Sequence, residues 1–297
     1  MKRYHASANW ITVSLFLLPS LIGFIMFIFL PIITMLGLSF TDYSGGFNLS
    51  FIGLDNFSAM FTNETFHKAL VNTVFFTVVT VVLQLLLGFI FAVILSKKIL
   101  GGVFFRAVIF IPVILSNIAV SLVFMLILHP SKGPLNGFLA SLGLPGGAWL
   151  TSPKTALLTI ALVAVWQSFG YYMVLFLSGL QTINPDLYEA GEIDGANRFQ
   201  QLIHITIPML SPTTFFCIIM AIINSFKVFD QVFAMTGGQL GGGPAQSTTV
   251  LVFDIYQRAF THLEMGYASA EATILLMIVL IITIIQYRGQ SKWVTYE

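Results

Sequence analysis

Charge is scarce in this chain: Lys and Arg number 13 and Asp and Glu 12 in 297 residues, so 8% of positions are charged against 57% hydrophobic. A water-soluble domain cannot cover that much apolar bulk with so few polar side chains, and a mean hydropathy of +0.91 assigns the chain to the membrane. The near balance of charge, +1 overall, and the lack of any basic run with interleaved aromatics exclude a nucleic-acid partner. Cysteine is rarer still: Cys217 alone excludes an intrachain disulfide framework and a cysteine-based metal site. The histidines, His5, His67, His129, His204 and His262, never stand four apart as a helical zinc pair does, so no metal site is expected. No Gly-x-Ser-x-Gly elbow exposes a nucleophile. The Gly-rich "GGQLGGGPAQST" lacks the lysine of a phosphate cradle and puts Pro244 where a backbone donor is needed. No catalytic residue is therefore assigned. Fixed-period repeats, low-complexity tails and polar stretches long enough for a soluble domain are missing too, so residues 1–297 read as one membrane domain.

What the chain has is long apolar runs. A helix needs about 20 residues to cross a hydrocarbon core of roughly 30 Å, and windows of that kind fall at 11–39, 69–96, 107–129, 155–179, 212–235 and 267–287. The first is too long for a cleaved signal peptide and carries Pro19 and Pro31, so it is counted as a span. The expected fold is an all-α membrane protein with six transmembrane helices. Lys2, Arg3, Lys97, Lys98, Arg106, Arg198, Arg288 and Lys292 would lie on one side, against Lys68, Lys132, Lys154 and Arg258 on the other, which makes both termini cytoplasmic. The outward segments are short and broken by Gly and Pro; Asn48-Leu-Ser and Asn63-Glu-Thr match a glycosylation pattern that chance alone supplies at this length.

Between the fourth and fifth windows lies "YEAGEIDGANRFQQLIHITIP", 188–208, which mixes acidic residues with small ones. Asn184 caps a short cytoplasmic helix that starts at Pro185, with Asp186 and Glu189 near its first turn, where the helix dipole favours negative charge. Ala190, Gly191 and Gly195 then leave room for close approach of another backbone. Either a partner docks there, or the small residues pack the loop against its own bundle.

This stretch resembles the cytoplasmic signature of permease subunits from binding-protein-dependent ABC importers: Glu-Ala-Ala, three residues, Gly, nine residues, Ile, one residue, Leu-Pro. Here it reads Glu189-Ala190-Gly191, Gly195, Ile205 and Ile207-Pro208, with Gly191 in place of Ala and Ile207 in place of Leu. The resemblance implies that 185–208 holds a coupling helix between helices 4 and 5, with Glu189, Ala190, Gly191, Asp194, Gly195 and Ala196 docking a cytoplasmic ATPase. Blocks such as "PSLIGFIMFIFLPIITMLGLSFTDY", "FIGLDNFSAMF" and "FLSGLQTINPDLYEAGEIDGA" are similar to the sugar-permease branch, of the maltose, multiple-sugar and glycerol-phosphate type. "TGGQLGGGP" is longer than that branch's usual Thr-x-Gly-Gly-Pro. The resemblance further implies a second permease in a heterodimer, two ATPase subunits carrying ATP and Mg, and an extracytoplasmic solute-binding protein. It also implies a sugar substrate and a multi-pass location, in contact with lipid, in the bacterial cytoplasmic membrane. This chain itself would bind no cofactor.

Two stretches are candidates for the substrate pathway. "VWQSFGYY" puts Gln167 and Tyr171 in the fourth span, where aromatic faces and an amide suit a sugar ring and its hydroxyls, or else form an interfacial belt. "NSFKVFDQVF" places Asn224, Lys227, Asp230 and Gln231 in an arc of about 120° if the fifth span is one α-helix, with Val228 and Val232 turned to lipid. Buried charges in membranes usually face a cavity or pair with one another, so Lys227 and Asp230 are expected to pair, with Glu271 of the sixth span joining them. A structural salt bridge or a snorkelling Lys227 would explain the same residues. Alternatives to a sugar importer are a permease for a polyol or glycerol phosphate and, from other classes, a stand-alone secondary transporter or a membrane scaffold.

Overall fold

Prolines stand at several of the points where the helices of this chain bend or change pitch. In the computed structural model, residues 10–46, 49–97, 100–238 and 241–293 are described, with side chains between 13 and 290. Asn48, Lys2, Arg3, Lys98 and the side chain of Lys292, used above for the glycosylation and orientation readings, lie outside that set. The chain divides into two compact units, Met1–Thr62 with Arg258–Ile274, and Asn63–Gln257 with Leu275–Glu297.

In the first unit, α1 (Trp10–Phe24) runs through a π-helical turn, Ile25–Phe29, into α2 (Leu30–Leu38). Pro31 has no N–H and its ring crowds the carbonyl four residues back. The ladder relaxes just ahead of it, and the Leu30 N–H reaches five residues back to the Ile25 carbonyl. Val13–Leu38 is apolar throughout and none of its most apolar stretch is buried within the chain. A short helix, α3 (Asp55–Thr62), follows a link tied by the Asn56 amide, which donates to the Ser39 and Thr41 carbonyls at 2.9 and 2.8 Å. The helix Met265–Trp293 starts against the same link: the Gly266 N–H donates to the Tyr43 carbonyl at 2.8 Å, and a Cβ on Gly266 would strike the Thr41 carbonyl.

The second unit is built on α4 (Glu64–Ser96), capped by Asn63, whose side chain accepts from the Thr65 and Phe66 N–H groups. After it come α5 (Gly102–Phe110), a 3₁₀ turn Ile111–Ile114, α6 (Asn117–Ile127), α7 (Pro134–Ser141) and the long α8 (Ala156–Thr182). Beyond lie α9 (Pro185–Ile193), α10 (Arg198–Gln201), a second π turn Leu202–Thr206, α11 (Ile207–Met209), α12 (Ser211–Phe226), α13 (Asp230–Met235) and α14 (Leu251–Tyr256). The lower part of α15, the helix Met265–Trp293, completes it. Thus α4 and α8 form the centre. α4 turns small and polar residues inward, Ala69, Thr73, Thr77, Thr80, Gln84, Gly88 and Ala92, and exposes Val71, Val78, Val82 and Ile94. Lipid is as apolar as any side chain, so helices in membranes associate by close packing and hydrogen bonds. At Gly88 an added Cβ would lie 2.9 Å from the Tyr172 Cβ and 3.0 Å from the Met173 nitrogen. Nearby, Thr80 and Ser225 share a hydroxyl hydrogen bond of 2.9 Å, and Gln84 donates to the Ala164 carbonyl at 3.2 Å.

Four helices are long and apolar enough to cross a membrane, and six spans result if each bent pair counts as one. The windows 107–129 and 212–235 are therefore not continuous helices as expected. The first bends by 97° between Ile114 and Asn117, where Pro112 tightens the turn and Leu115 is extended. The second is two helices, since α12 stops at Phe226 and α13 starts at Asp230; a further bend of 65° separates α12 from the segment Arg198–Met209.

Candidate functional site

The two helix breaks open onto one cavity of about 420 Å³. α4 contributes Phe76 and Gln84, α8 contributes Ser168, Tyr171 and Tyr172, the first break contributes Val113 and Asn117, and the second contributes Asn224, Ser225 and 227–231. Asn224, Lys227, Asp230 and Gln231 do share one wall, but the reason differs from the helical arc. α12 ends in tight turns, with Lys227 N–H on the Asn224 carbonyl and Val228 N–H on the Ser225 carbonyl at 3.2 and 3.3 Å. Phe229 then leaves helical geometry, and the chain folds the four residues inward. Val228 and Val232, expected to meet lipid, are 7% and 0% exposed and pack with Ile160 and Val163.

Lys227 and Asp230 do not pair. Asp230 Oδ2 instead accepts from the Asn117 amide at 3.1 Å, because the first break carries Asn117 to the start of α13. Gln167 is not among the cavity-lining residues: 2% exposed, it lies behind the wall and donates to Asn117 Oδ1 at 3.0 Å and to the Leu115 carbonyl at 3.2 Å. Tyr171 lines the cavity and stacks edge-on against Tyr172, their ring centres 5.3 Å apart. Glu271 is fully buried in α15, in the other unit, and is not part of this lining. Sequence reasoning missed Asn117 and Ser168. The cue for Asn117 was there: an amide in an apolar run, five residues after Pro112.

Amides, hydroxyls and aromatic faces dominate this wall, with one cation and one carboxylate. Such a surface can exchange hydrogen bonds with a polyhydroxylated solute and stack on its apolar ring face. Among the described residues no group of three or more His, Cys, Asp or Glu side chains is placed to hold a metal ion.

A second feature is the loop between α8 and α12. The Asn184 side chain accepts from the Asp186 N–H at 3.1 Å and Pro185 opens α9, as its sequence requires. α9 ends in a Schellman motif: the Ala196 N–H donates to the Gly191 carbonyl at 2.8 Å, the Gly195 N–H to the Glu192 carbonyl at 3.1 Å, and Gly195 has φ +78°. Gly195 is thus required by the backbone itself. Gly191 faces Ile205: a Cβ there would come within 3.1 Å of the Ile205 Cδ1. Asn197 and Gln200 form a capping box that starts α10, and the π turn after it repeats the geometry before Pro31, with the Ile207 N–H on the Leu202 carbonyl just ahead of Pro208. Gly191, Asp194, Gly195, Ala196, His204 and Ile205 surround a cleft of about 330 Å³. Glu189, Ala190 and Glu192 are exposed beside Ile193, 86% exposed, and Phe199, 68%.

Residues 84–295 match the family described as binding-protein-dependent transport system inner membrane component. The chain belongs to this family. The permease is 38% identical over 285 residues to the probable ABC transporter permease protein YurN of Bacillus subtilis, covering 94% of this chain and 96% of that protein. It is 36% identical to the multiple sugar-binding transport system permease protein MsmF of Streptococcus mutans, with 94% of each covered. In fold it is similar to a chain of a bacterial alginate ABC transporter solved with an alginate pentasaccharide-bound periplasmic protein: TM-score 0.83, 23% identity, 95% of this chain and 94% of that one. It is a non-catalytic, multi-pass subunit of an ABC importer in the inner membrane, as the resemblance implied.

Proposed function

We propose that the permease forms, with a second and different permease, the pathway for a neutral sugar or oligosaccharide. An extracytoplasmic binding protein delivers the sugar, and two ATPase subunits holding ATP and Mg drive the cycle on the cytoplasmic side. The single observation that carries the substrate class is the cavity wall, where Asn224, Gln231, Ser168 and Tyr171 converge at two helix breaks. Broken helices at membrane depth are tolerated where they line a cavity, and their free backbone groups add donors and acceptors to it. The name of the relative MsmF supports a sugar. Lys227, exposed and lining the same cavity, favours glycerol phosphate as the second reading.

In this reading both termini are cytoplasmic, residues 1–297 act as one membrane domain, and 185–208 is the coupling segment. Glu189, Ala190 and Asp194 meet the ATPase, Gly191 and Gly195 shape the helix end, and Ala196 lines the cleft. The site residues of the pathway are Tyr171, Asn224, Lys227, Asp230 and Gln231, with Gln167 behind them. Loaded binding protein and ATP shift the equilibrium only by preferring the outward-open form.

Uptake into cells expressing the full importer tests the substrate class. Lactose, maltotriose and arabinotriose are offered alongside glycerol 3-phosphate. Saturable uptake of at least one sugar, with KM raised about tenfold by Gln231→Leu through the loss of a hydrogen bond worth about 1 kcal/mol or somewhat more, supports the reading. Uptake of glycerol 3-phosphate alone selects the second one.

A further inference from the structure

The break in the third span leaves a carbonyl with no helical partner, and that carbonyl sets the orientation of a line of side chains. Leu115 is extended, with φ −78° and ψ 148°, so its oxygen is outside any helical ladder. It accepts from Gln167 Nε2 at 3.2 Å, which settles which end of the Gln167 amide is the nitrogen, since a carbonyl can only accept. The same Nε2 donates to Asn117 at 3.0 Å, so the atom it meets is Asn117 Oδ1 and the other end of that amide is the donor. That donor, Nδ2, points at Asp230 Oδ2, 3.1 Å away. Asp230 Oδ1 accepts nothing from the described residues, while Asp230 and Asn117 both line the cavity.

The geometry points to Asn117 as a positioning residue for substrate recognition. Held by Gln167, it fixes one carboxylate oxygen of Asp230 and leaves the other for a substrate hydroxyl. This rests on the pathway reading above. Neither break could do this alone, since α8 supplies Gln167, the first break supplies Leu115 and Asn117, and the second break supplies Asp230. A positioned carboxylate suits a diol, whose hydroxyls donate to its open lone pairs; freed to rotate, Asp230 would have to be ordered again each time substrate binds.

The test is a set of variants in the complete importer, read by uptake of whichever of lactose, maltotriose or arabinotriose enters saturably. Asn117→Ala is expected to raise KM about tenfold with kcat and the amount of assembled complex little changed, and Asp230→Asn to raise it at least as much. Combining the two should add nothing to Asp230→Asn, because Asn117 acts through Asp230. The exchange Asn117→Asp with Asp230→Asn keeps a hydrogen bond between the breaks with its polarity reversed; it should restore thermal stability of the purified complex and leave KM high. Full recovery of KM in that exchange would reduce the pair to a strut between helices and overturn the inference. An effect of Asp230→Asn without any effect of Asn117→Ala overturns it as well, while leaving the pathway reading intact. Absence of any effect of Asp230→Asn overturns this inference too, whereas the pathway reading fails only if Gln231→Leu is silent as well.

Discussion

Gly88 and Gly170 show how far a single missing side chain reaches. Both lie where helices touch backbone to backbone: Gly88 against Tyr172 and Met173, and Gly170 against the Ile109 carbonyl, which an added Cβ would strike. Overpacking a tight contact costs roughly 1–3 kcal/mol, and here the neighbour that must yield is a helix backbone. Gly88→Val is therefore expected to lower the melting temperature of the detergent-purified permease by several degrees. Gly137→Ala, where nothing lies within 4 Å, should leave it unchanged. Equal melting of the two variants would show that α4 and α8 do not depend on close approach at Gly88. Neither glycine could be assigned this role beforehand, because each sits in an apolar run that names no partner.

At the scale of elements, the chain was legible where structure is local. The loop 184–208 was readable from its cap, its proline and its glycines because a helix end is decided by residues within one turn. Gly195 was taken for a point of close approach, and its positive φ shows why the position excludes other residues with or without a partner. Its replacement would strain the backbone before testing docking, so the exposed face is the better probe. Ile193→Asp is expected to release the ATPase subunits on purification and to lower uptake at least tenfold, with the membrane-embedded permease unchanged in amount. Retention of the ATPase at the wild-type ratio would remove Ile193 from the docking face. The third and fifth spans were less legible. Hydropathy measures length, and both windows are long enough, but Asn117 registers there only as an isolated polar residue and Lys227 as one member of a polar helix face. Whether such a residue interrupts a helix depends on partners far along the chain: Gln167 is 50 residues from Asn117, and Asp230 is 113. The arc drawn for the fifth span grouped side chains that line one cavity, but on the premise of a continuous helix, which the break at Lys227 replaces.

For the molecule as a whole, buried surface is unevenly shared. The most apolar stretch of Ala156–Thr182 is 61% buried within the chain, that of Glu64–Ser96 28%, and that of Val13–Leu38 0%. The first span therefore adds no core of its own. Replacing its exposed apolar residues from Val13 to Phe24 with leucine is expected to leave the melting of the purified permease unchanged within about a degree; a larger drop would mean that side-chain packing there matters to the fold. The broken spans differ from it in the length of their helices, and that shortness bears on how the protein is made. A leucine-rich stretch of 26 residues can leave the insertion machinery for lipid as soon as it is synthesised, since about 20 apolar residues suffice to cross. α13, six residues long and opening on Asp230, cannot. Among the described residues its carboxylate finds a donor at Asn117 alone, so this part of the second half of the chain is expected to settle in the membrane after the first half is in place to receive it.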